Sequence, residues 1–212
     1  MSDRNRGGDE MRVIGLTGGI AMGKSTAARA FRRAKVPVFD ADAAVRALQG
    51  PDGAALPAIE ALFPGVVQRD ERGRRVLDRP ALRRAAFGDP AALRRLEALL
   101  HPLVRRREAA FLAAARRRRA RVAVLDVPLL FEARGRRGID TVVVVSAPSA
   151  VQRARVLKRG ALTRAQLDAV LARQLPDLER RRRADYVIRT GLSRHHAHRA
   201  VRSVLSTVLK LS

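Results

Sequence analysis

The residues best suited to chemistry form one short run, Gly18-Gly-Ile-Ala-Met-Gly23-Lys24-Ser25, which satisfies the pattern G-x-x-x-x-G-K-[ST]. Glycines let a backbone wrap closely around phosphate oxygens, at dihedral angles other residues avoid. The N–H groups that open a following helix converge and favour negative charge. A lysine at the seventh place reaches the β and γ phosphates as a mobile point charge, and the serine hydroxyl after it can ligate Mg²⁺. The run therefore predicts a loop that holds a nucleoside triphosphate with Mg²⁺. A glycine-rich turn without a ligand is the plainer alternative, and the elements on either side argue against it.

The loop says nothing about the acceptor. Open α/β sheets place ligands beyond the carboxyl ends of their strands, so carboxylates there are the next candidates. Asp40 and Asp42 follow a short apolar run and, in extended chain, would face the same side. Their alternative is a turn or helix-cap role. Asp126 closes a valine-rich run in Leu125-Asp126-Val127, where a carboxylate commonly completes a Mg²⁺ shell; its alternative is a buried structural carboxylate. A GTPase would need a water-positioning residue and switch loops. A kinase needs a base for a hydroxyl and a basic flap that closes over the phosphates. Arg153, Arg155, Lys158 and Arg159 form such a cluster, which makes the kinase reading preferable.

These residues require particular elements around them. Arg12–Thr17, ended by Gly18-Gly19, predicts a buried strand. Lys24–Ala34 predicts a helix and Val36–Phe39 a second strand, which together make a βαβ unit with parallel strands. Residues 43–120 read as successive helices. Asp78-Arg-Pro80 and Asp89-Pro90 mark two helix starts, and Leu93, Leu96, Leu99 and Leu100 give one apolar face. His101-Pro102 is expected to break that helix and open another toward Arg119, and Gln68–Gly73 reads as a turn. Arg121–Val127 and Ile139–Ser146 read as buried strands of a parallel sheet. Ala150–Lys158 and Thr163–Leu175 read as helices, the second opened by a capping box of Thr163 and Gln166. Ala184–Ile188 is a last short strand and Ser193–Leu211 a terminal helix.

Composition narrows the classes. The chain has 212 residues and a formal net charge of +24, from 40 Arg and 4 Lys against 20 acidic residues. That length predicts one compact domain with an embedded subdomain. Hydrophobic residues make up 47%, which argues against a wholly disordered chain. With no cysteine, disulfide scaffolds and Cys-ligated zinc or iron–sulfur centres are excluded. Aromatics are only 3%, which weakens any base-stacking platform. The most apolar runs, Thr141–Val145 and Val122–Leu125, are far shorter than the roughly 20 residues of a membrane span. Residues 1–10 are polar and read as a disordered leader rather than a signal peptide, so a cytoplasmic protein is expected. The positive charge suits a nucleic acid, small polyanions, or arginine on solvated helix faces. Arg105–Arg107, Arg116–Arg119 and Arg180–Arg183 are scattered, and no nucleic-acid readout motif accompanies them, so no specific nucleic-acid partner is expected.

From residue 11 to about 210 the sequence resembles the dephospho-CoA kinase family. The resemblance rests on Ile14-Gly-Leu-Thr-Gly-Gly-Ile20 with Gly23-Lys-Ser-Thr26, then Val38-Phe-Asp-Ala-Asp42, Asp78-Arg79 and Leu99-Leu-His-Pro-Leu103. It continues through Val127-Pro-Leu-Leu-Phe-Glu132, Arg155 to Arg159, Thr163-Arg164, Gln174 and Ala184-Asp-Tyr-Val-Ile188. It implies a three-layer α/β P-loop kinase fold with a mostly parallel central sheet. The core would be residues 11–45 and 121–212, with a lid at about 151–175 and a helical CoA-substrate domain at 46–120. It implies ATP-dependent phosphorylation of the ribose 3′-hydroxyl of dephospho-CoA, giving coenzyme A and ADP, the last step of coenzyme A synthesis. ATP would be held by Gly18, Gly19, Ile20, Ala21, Met22, Gly23, Lys24, Ser25 and Thr26, and Mg²⁺ by Ser25 and Asp126. Asp42 would be the general base toward the 3′-hydroxyl, and Asp40, on the substrate side, would orient nearby groups or the ribose. Arg155 and Arg159 would join Lys24 in neutralising the transferred phosphoryl group, and Arg79 and His101 would shape the CoA side. A monomer or weak homo-oligomer without a membrane partner is expected. The competing readings are another P-loop nucleoside or nucleotide kinase, and a basic nucleic-acid-binding P-loop protein. Three positions depart from the usual family pattern: Ala21-Met22 in place of Gly-Ser, Arg189-Thr190-Gly191 where an Asn often stands, and Arg159-Gly160-Ala161 without its Asp.

Overall fold

A computed structural model describes residues 11–210 except 129, 134, 161, 173 and 192; the expected leader at 1–10 lies outside the described residues. In chain order the elements begin with β1 (Arg12–Gly18), α1 (Lys24–Arg33), β2 (Val38–Asp40), α2 (Ala41–Leu48), α3 (Leu56–Leu62), β3 (Val67–Arg69) and β4 (Arg75–Leu77). Then come α4 (Arg79–Phe87), α5 (Pro90–Arg117), β5 (Val122–Asp126), α6 (Leu130–Ala133), β6 (Thr141–Ser146) and α7 (Ser149–Lys158). The last are α8 (Arg164–Ala172), α9 (Asp177–Arg182), β7 (Tyr186–Arg189) and α10 (Arg194–Lys210). The described residues divide into two compact units, 11–39 with 112–210, and 40–111. The divisions fall at 39/40 and 111/112, six and nine residues before the boundaries expected after residues 45 and 120.

The first unit is an α/β sandwich. Its five-stranded sheet has the order β2-β5-β1-β6-β7. β1 runs parallel to β5 and β6, and β7 runs parallel to β6. The valine-rich sequences of β5 and β6 are buried on both faces, as strands between two helical layers must be. On one face Ala27 and Phe31 of α1, with Val201, Val204 and Val208 of α10, pack over Ile14, Leu16, Val124, Val143, Val145 and Ile188. On the other face α9 packs against β6, and the N–H of the fully buried Leu130 donates to Thr17 Oγ1 at 3.4 Å. The sheet grows to one side of β1 through β5 and β2, and to the other through β6 and β7. The carboxyl end of β1 is therefore the place where such a sheet opens a ligand crevice.

The edge between β6 and β7 is fastened by a charge. Asp185 accepts the Val142 N–H at 2.7 Å and pairs with the Arg136 guanidinium. Partial burial pushes its carboxyl upward, but Arg136 and the Val142 N–H outweigh that and hold it below the ordinary value of 3.8. A carboxylate depressed by folding stabilises the native state above its unfolded value, and that contribution is lost as pH falls through the lower, folded value. Asp185→Asn is thus expected to lower the melting temperature at neutral pH. The gap to the parent should shrink as the melts are taken from about pH 5 down to about pH 3. A gap independent of pH would show that the carboxylate's charge does not matter.

The second unit holds α2, α3, α4, most of α5 and a small hairpin. Its core gathers Leu48, Ala55, Ile59, Phe63, Val66, Leu82, Leu96 and Leu100. The expected start signals hold: Asp78 accepts the Ala81 N–H at 2.9 Å and Asp89 the Ala91 N–H at 2.8 Å. Two expectations fail. The segment is not all helical, since β3 and β4 pair antiparallel around Asp70–Gly73, where Asp70 Oδ1 accepts the N–H groups of Arg72 and Arg74. Strands of three residues carry too little alternation to be read as strands. Nor does His101-Pro102 end a helix, because α5 continues through Pro102 as one element of 28 residues. Proline there removes one backbone bond, but Leu96, Leu99 and Leu100 before it and Leu103 and Val104 after it share one apolar cluster. Continuous burial of that stripe outweighs the local cost.

Candidate active site

Gly18 ends β1 beside Val145 and two places beyond Leu16, which pairs with Asp126. The next residues turn through Ala21, at φ 54°, and Gly23, at φ 92°, before α1 opens at Lys24. The loop closes on itself through Met22 N–H to Gly19 O at 3.2 Å and Thr26 N–H to Gly23 O at 2.9 Å. Gly23 is required twice over. Its positive φ strains any side chain, and a Cβ there would lie 2.8 Å from Thr190 Oγ1. Gly23→Ala is therefore expected to fold but to weaken ATP binding roughly tenfold or more, since the N–H groups that follow must shift. Titration calorimetry with ATP checks this, and an unchanged affinity would show that the turn is not set at this residue.

Lys24 Nζ lies 2.6 Å from Asp126 Oδ1, with the lysine side chain 20% exposed and the aspartate 6%. The strand register creates this pair. β5 lies next to β1, so its terminal carboxylate stands beside the loop that leaves β1. Asp126 is thus buried and ion-paired, not an orphan, and its charge is held at the mouth of the loop. Ser25, the second residue of α1, is exposed. A hydroxyl and a carboxylate are hard oxygen donors, the kind Mg²⁺ selects when it also keeps water and phosphate ligands. The donor set fits that ion. No cluster of three or more His, Asp or Glu suited to a metal occurs among the described residues.

Around the loop is a cleft of about 370 Å³ lined by Gly23, Ser25, Thr26, Arg29, Arg155, Arg159 and Thr190, among others. Arg159 caps the carboxyl end of α7 and is exposed to the cleft. Arg155 is engaged in the structure. Its Nη2 donates to Thr190 O at 2.6 Å, and its Nη1 lies 3.4 Å from both Ala21 O and Thr190 Oγ1. Arg155 therefore braces the loop against the end of β7 while lining the cleft. Arg29 was missed in the sequence; its place four residues after Ser25 on a helix is the signal that could have found it.

Two of the family departures meet in space. Thr190, 5% exposed, donates its hydroxyl to Met22 O, and the Met22 sulfur accepts the Ala147 N–H at 3.1 Å. The position that loses a hydroxyl inside the loop is thus held by a hydroxyl from the residue that follows β7. Gln152, Gln174 and Arg180 were not expected beside the loop, although Gln174 is one of the residues that carry the resemblance; Gln152 and Arg180 are buried polar side chains. A Cβ on Gly19 would come within 2.6 Å of Arg180 Nη2, so glycine permits that close approach.

Asp40, Asp42, Arg79 and His101 belong to the second unit. Asp40 and Asp42 do not share a face of extended chain as expected, because α2 starts between them at Ala41. Asp40 is its N-cap, accepting the Ala43 N–H at 2.8 Å, and Asp42 is exposed in the first turn. The apolar residues Ala44 and Leu48 draw this segment into a helix, which overrides the extended reading. Arg79 opens α4 and is exposed. His101 is exposed in the middle of α5 and caps no helix junction. No helix among the described residues is long and apolar enough to cross a membrane.

Comparison with known proteins adds a family. The dephospho-CoA kinase family model matches residues 12–194. A dephospho-CoA kinase of Gluconobacter oxydans is 52% identical over 206 residues, covering 95% of this chain and all of that one. Another, of Paramagnetospirillum magneticum, is 57% identical over 171 residues, covering 81% of this chain and 78% of that one. Among solved structures, a Thermus thermophilus protein is similar with a TM-score of 0.78 and 36% identity, covering 93% and 98% of the two chains. A Campylobacter jejuni dephospho-CoA kinase shares the fold with a TM-score of 0.70 at 22% identity, over 95% and 98%.

Proposed function

The chain belongs to the dephospho-CoA kinase family, and we propose from that premise how its residues divide the work. It transfers the γ-phosphoryl group of ATP to the ribose 3′-hydroxyl of dephospho-CoA, giving coenzyme A and ADP. The bond from γ-phosphorus to the β,γ-bridging oxygen breaks, and a bond from the 3′-oxygen forms. The hydroxyl proton passes to a base.

The observation that carries the reading is the Lys24–Asp126 pair at the opening of the loop, 2.6 Å across. It stores a mobile cation and a fixed carboxylate at the carboxyl end of the central strand, beside the amides that open α1. The triphosphate lies along residues 18–26, and Lys24 exchanges its contact with Asp126 for the β and γ oxygens. Ser25 and Asp126 are the residues that would hold Mg²⁺, which when bound neutralises charge on those oxygens. Arg159 and Arg155, on the cleft wall, complete the neutralisation as charge moves to the bridging oxygen. Asp42 takes the 3′-hydroxyl proton, and Asp40 holds the start of α2 so that Asp42 keeps its place. Residues 46–120 take the CoA side, with Arg79 and His101 contributing polar contacts, and residues 151–175 act as the lid. The reaction belongs to the cytoplasm, where ATP is supplied, and the chain acts as a monomer or weak homo-oligomer.

Incubation with Mg-ATP and dephospho-CoA is expected to yield equal amounts of ADP and coenzyme A. Turnover of a nucleoside with none of dephospho-CoA would overturn the assignment of the acceptor.

A further inference from the structure

The phosphate loop is held at one residue by two glutamines that are distant in sequence. Gln152 Nε2, from α7, donates to Ile20 O at 2.9 Å. Gln174 Oε1, from the segment between α8 and α9, accepts the Ile20 N–H at 3.3 Å. The N–H and C=O of a residue flank its two soft dihedrals, so holding both fixes the backbone at that point. Ile20 sits between Gly18-Gly19 and the left-handed Ala21, where the chain has most freedom to lose. Gln152 is only 4% exposed, so its amide is not a surface group that happens to touch the loop. Both bonds also satisfy backbone groups that would otherwise lack a partner in the loop.

The two glutamines bracket a segment of the chain. Between them lie α7 from Arg153 onward and α8, the part that carries Arg155 and Arg159. Its two ends therefore converge on a single residue of the phosphate loop. After the second glutamine, α9 places Arg180 against Gly19, and Asp177 Oδ2 accepts the Ser146 hydroxyl at 2.7 Å, which ties that exit to the end of β6.

We propose that Gln152 and Gln174 are positioning residues that set the phosphate loop through Ile20 and root both ends of the α7–α8 segment on it. The loop is then preorganised for a triphosphate before the ligand arrives, and the arginines of the segment are kept in register with the phosphates. This rests on the reading of residues 18–26 as the ATP site. Neither glutamine is among the residues that line the cleft around the loop, so their loss is expected to act through Ile20.

The test uses the full-length chain, with ATP as the calorimetric probe and both substrates in the kinetic assay. Gln152→Met and Gln174→Met keep length and volume but remove the amide. Each is expected to weaken ATP binding and raise the KM for ATP about 5–10-fold, the worth of one hydrogen bond, while the KM for dephospho-CoA stays within about twofold. The double variant should lose less than the product of the singles, because either loss already frees Ile20. Gln174→Glu should restore binding, since a carboxylate can still accept the Ile20 N–H. Unchanged ATP affinity in both single variants overturns the proposal. So does a parallel rise of both KM values with a lowered melting temperature, which would mark general loosening, and so does failure of Gln174→Glu to recover. If the parent chain itself does not bind ATP, it is the reading of the loop that falls.

Discussion

Asp42→Asn is expected to lower turnover of dephospho-CoA by roughly 10²–10⁴-fold, the usual worth of a general base, with ATP affinity unchanged. Asparagine has the size of aspartate and can still accept a hydrogen bond, but it cannot take the 3′-hydroxyl proton. The substitution should fold normally. Asp42 is exposed in the first turn of α2, and the helix keeps its cap because Asp40, not Asp42, accepts the Ala43 N–H. The measurement is kcat beside ATP binding by calorimetry. Full turnover would remove Asp42 from the role and move attention to another acceptor. Equal loss of ATP affinity would mean that the carboxylate matters to the nucleotide instead.

Lys24→Ala should damage both steps. In the proposed role Lys24 would serve the triphosphate in the bound state and in the transition state, so weaker ATP binding and a fall in turnover of roughly 10²–10³-fold are expected together. A second effect follows from the structure. Asp126 is buried and its Oδ1 is on Lys24, so deleting the lysine leaves a buried carboxylate with less compensation and should lower thermal stability. Lys24→Ala with Asp126→Asn should recover stability but not activity. Recovery of activity by the double variant would show that Lys24 acts by balancing Asp126 rather than by touching phosphate. Full activity of Lys24→Ala alone would dismiss the phosphate-loop reading.

The size of the +24 charge is not explained by this chemistry. Lys24, Arg155, Arg159 and Arg29 are at the loop or its cleft, and many of the other arginines, such as Arg32, Arg33, Arg105 and Arg106, are exposed on helices. The sign suits anionic substrates and can speed their capture at low salt.

What was readable in advance was local. The phosphate loop depends on glycines, a lysine and a serine within eight residues, between a strand pattern and a helix pattern that each announce themselves. The helix caps at Asp78, Asp89 and Thr163 were legible for the same reason, since Thr163 N–H bonds Gln166 Oε1 at 2.9 Å only three residues away. The resemblance carried the family because its motifs are short and ordered along the chain. What tertiary structure decided is everything set by contacts between distant residues. Ile20 is held from 132 and 154 residues away, and Met22 is met by Thr190 across 168. No pattern in a single sequence encodes such pairs, because the sheet order brings β1, β5, β6 and β7 side by side only after folding. The same holds for α5, where proline argued for a break at 102 and the buried stripe on both sides of it prevailed. Sequence spacing determined that this chain has a phosphate loop. Packing decided that Lys24 faces Asp126, that Arg155 braces the loop it was expected to close over, and that two glutamines bond both backbone groups of Ile20, because those outcomes are energies of the assembled core and not of any one segment.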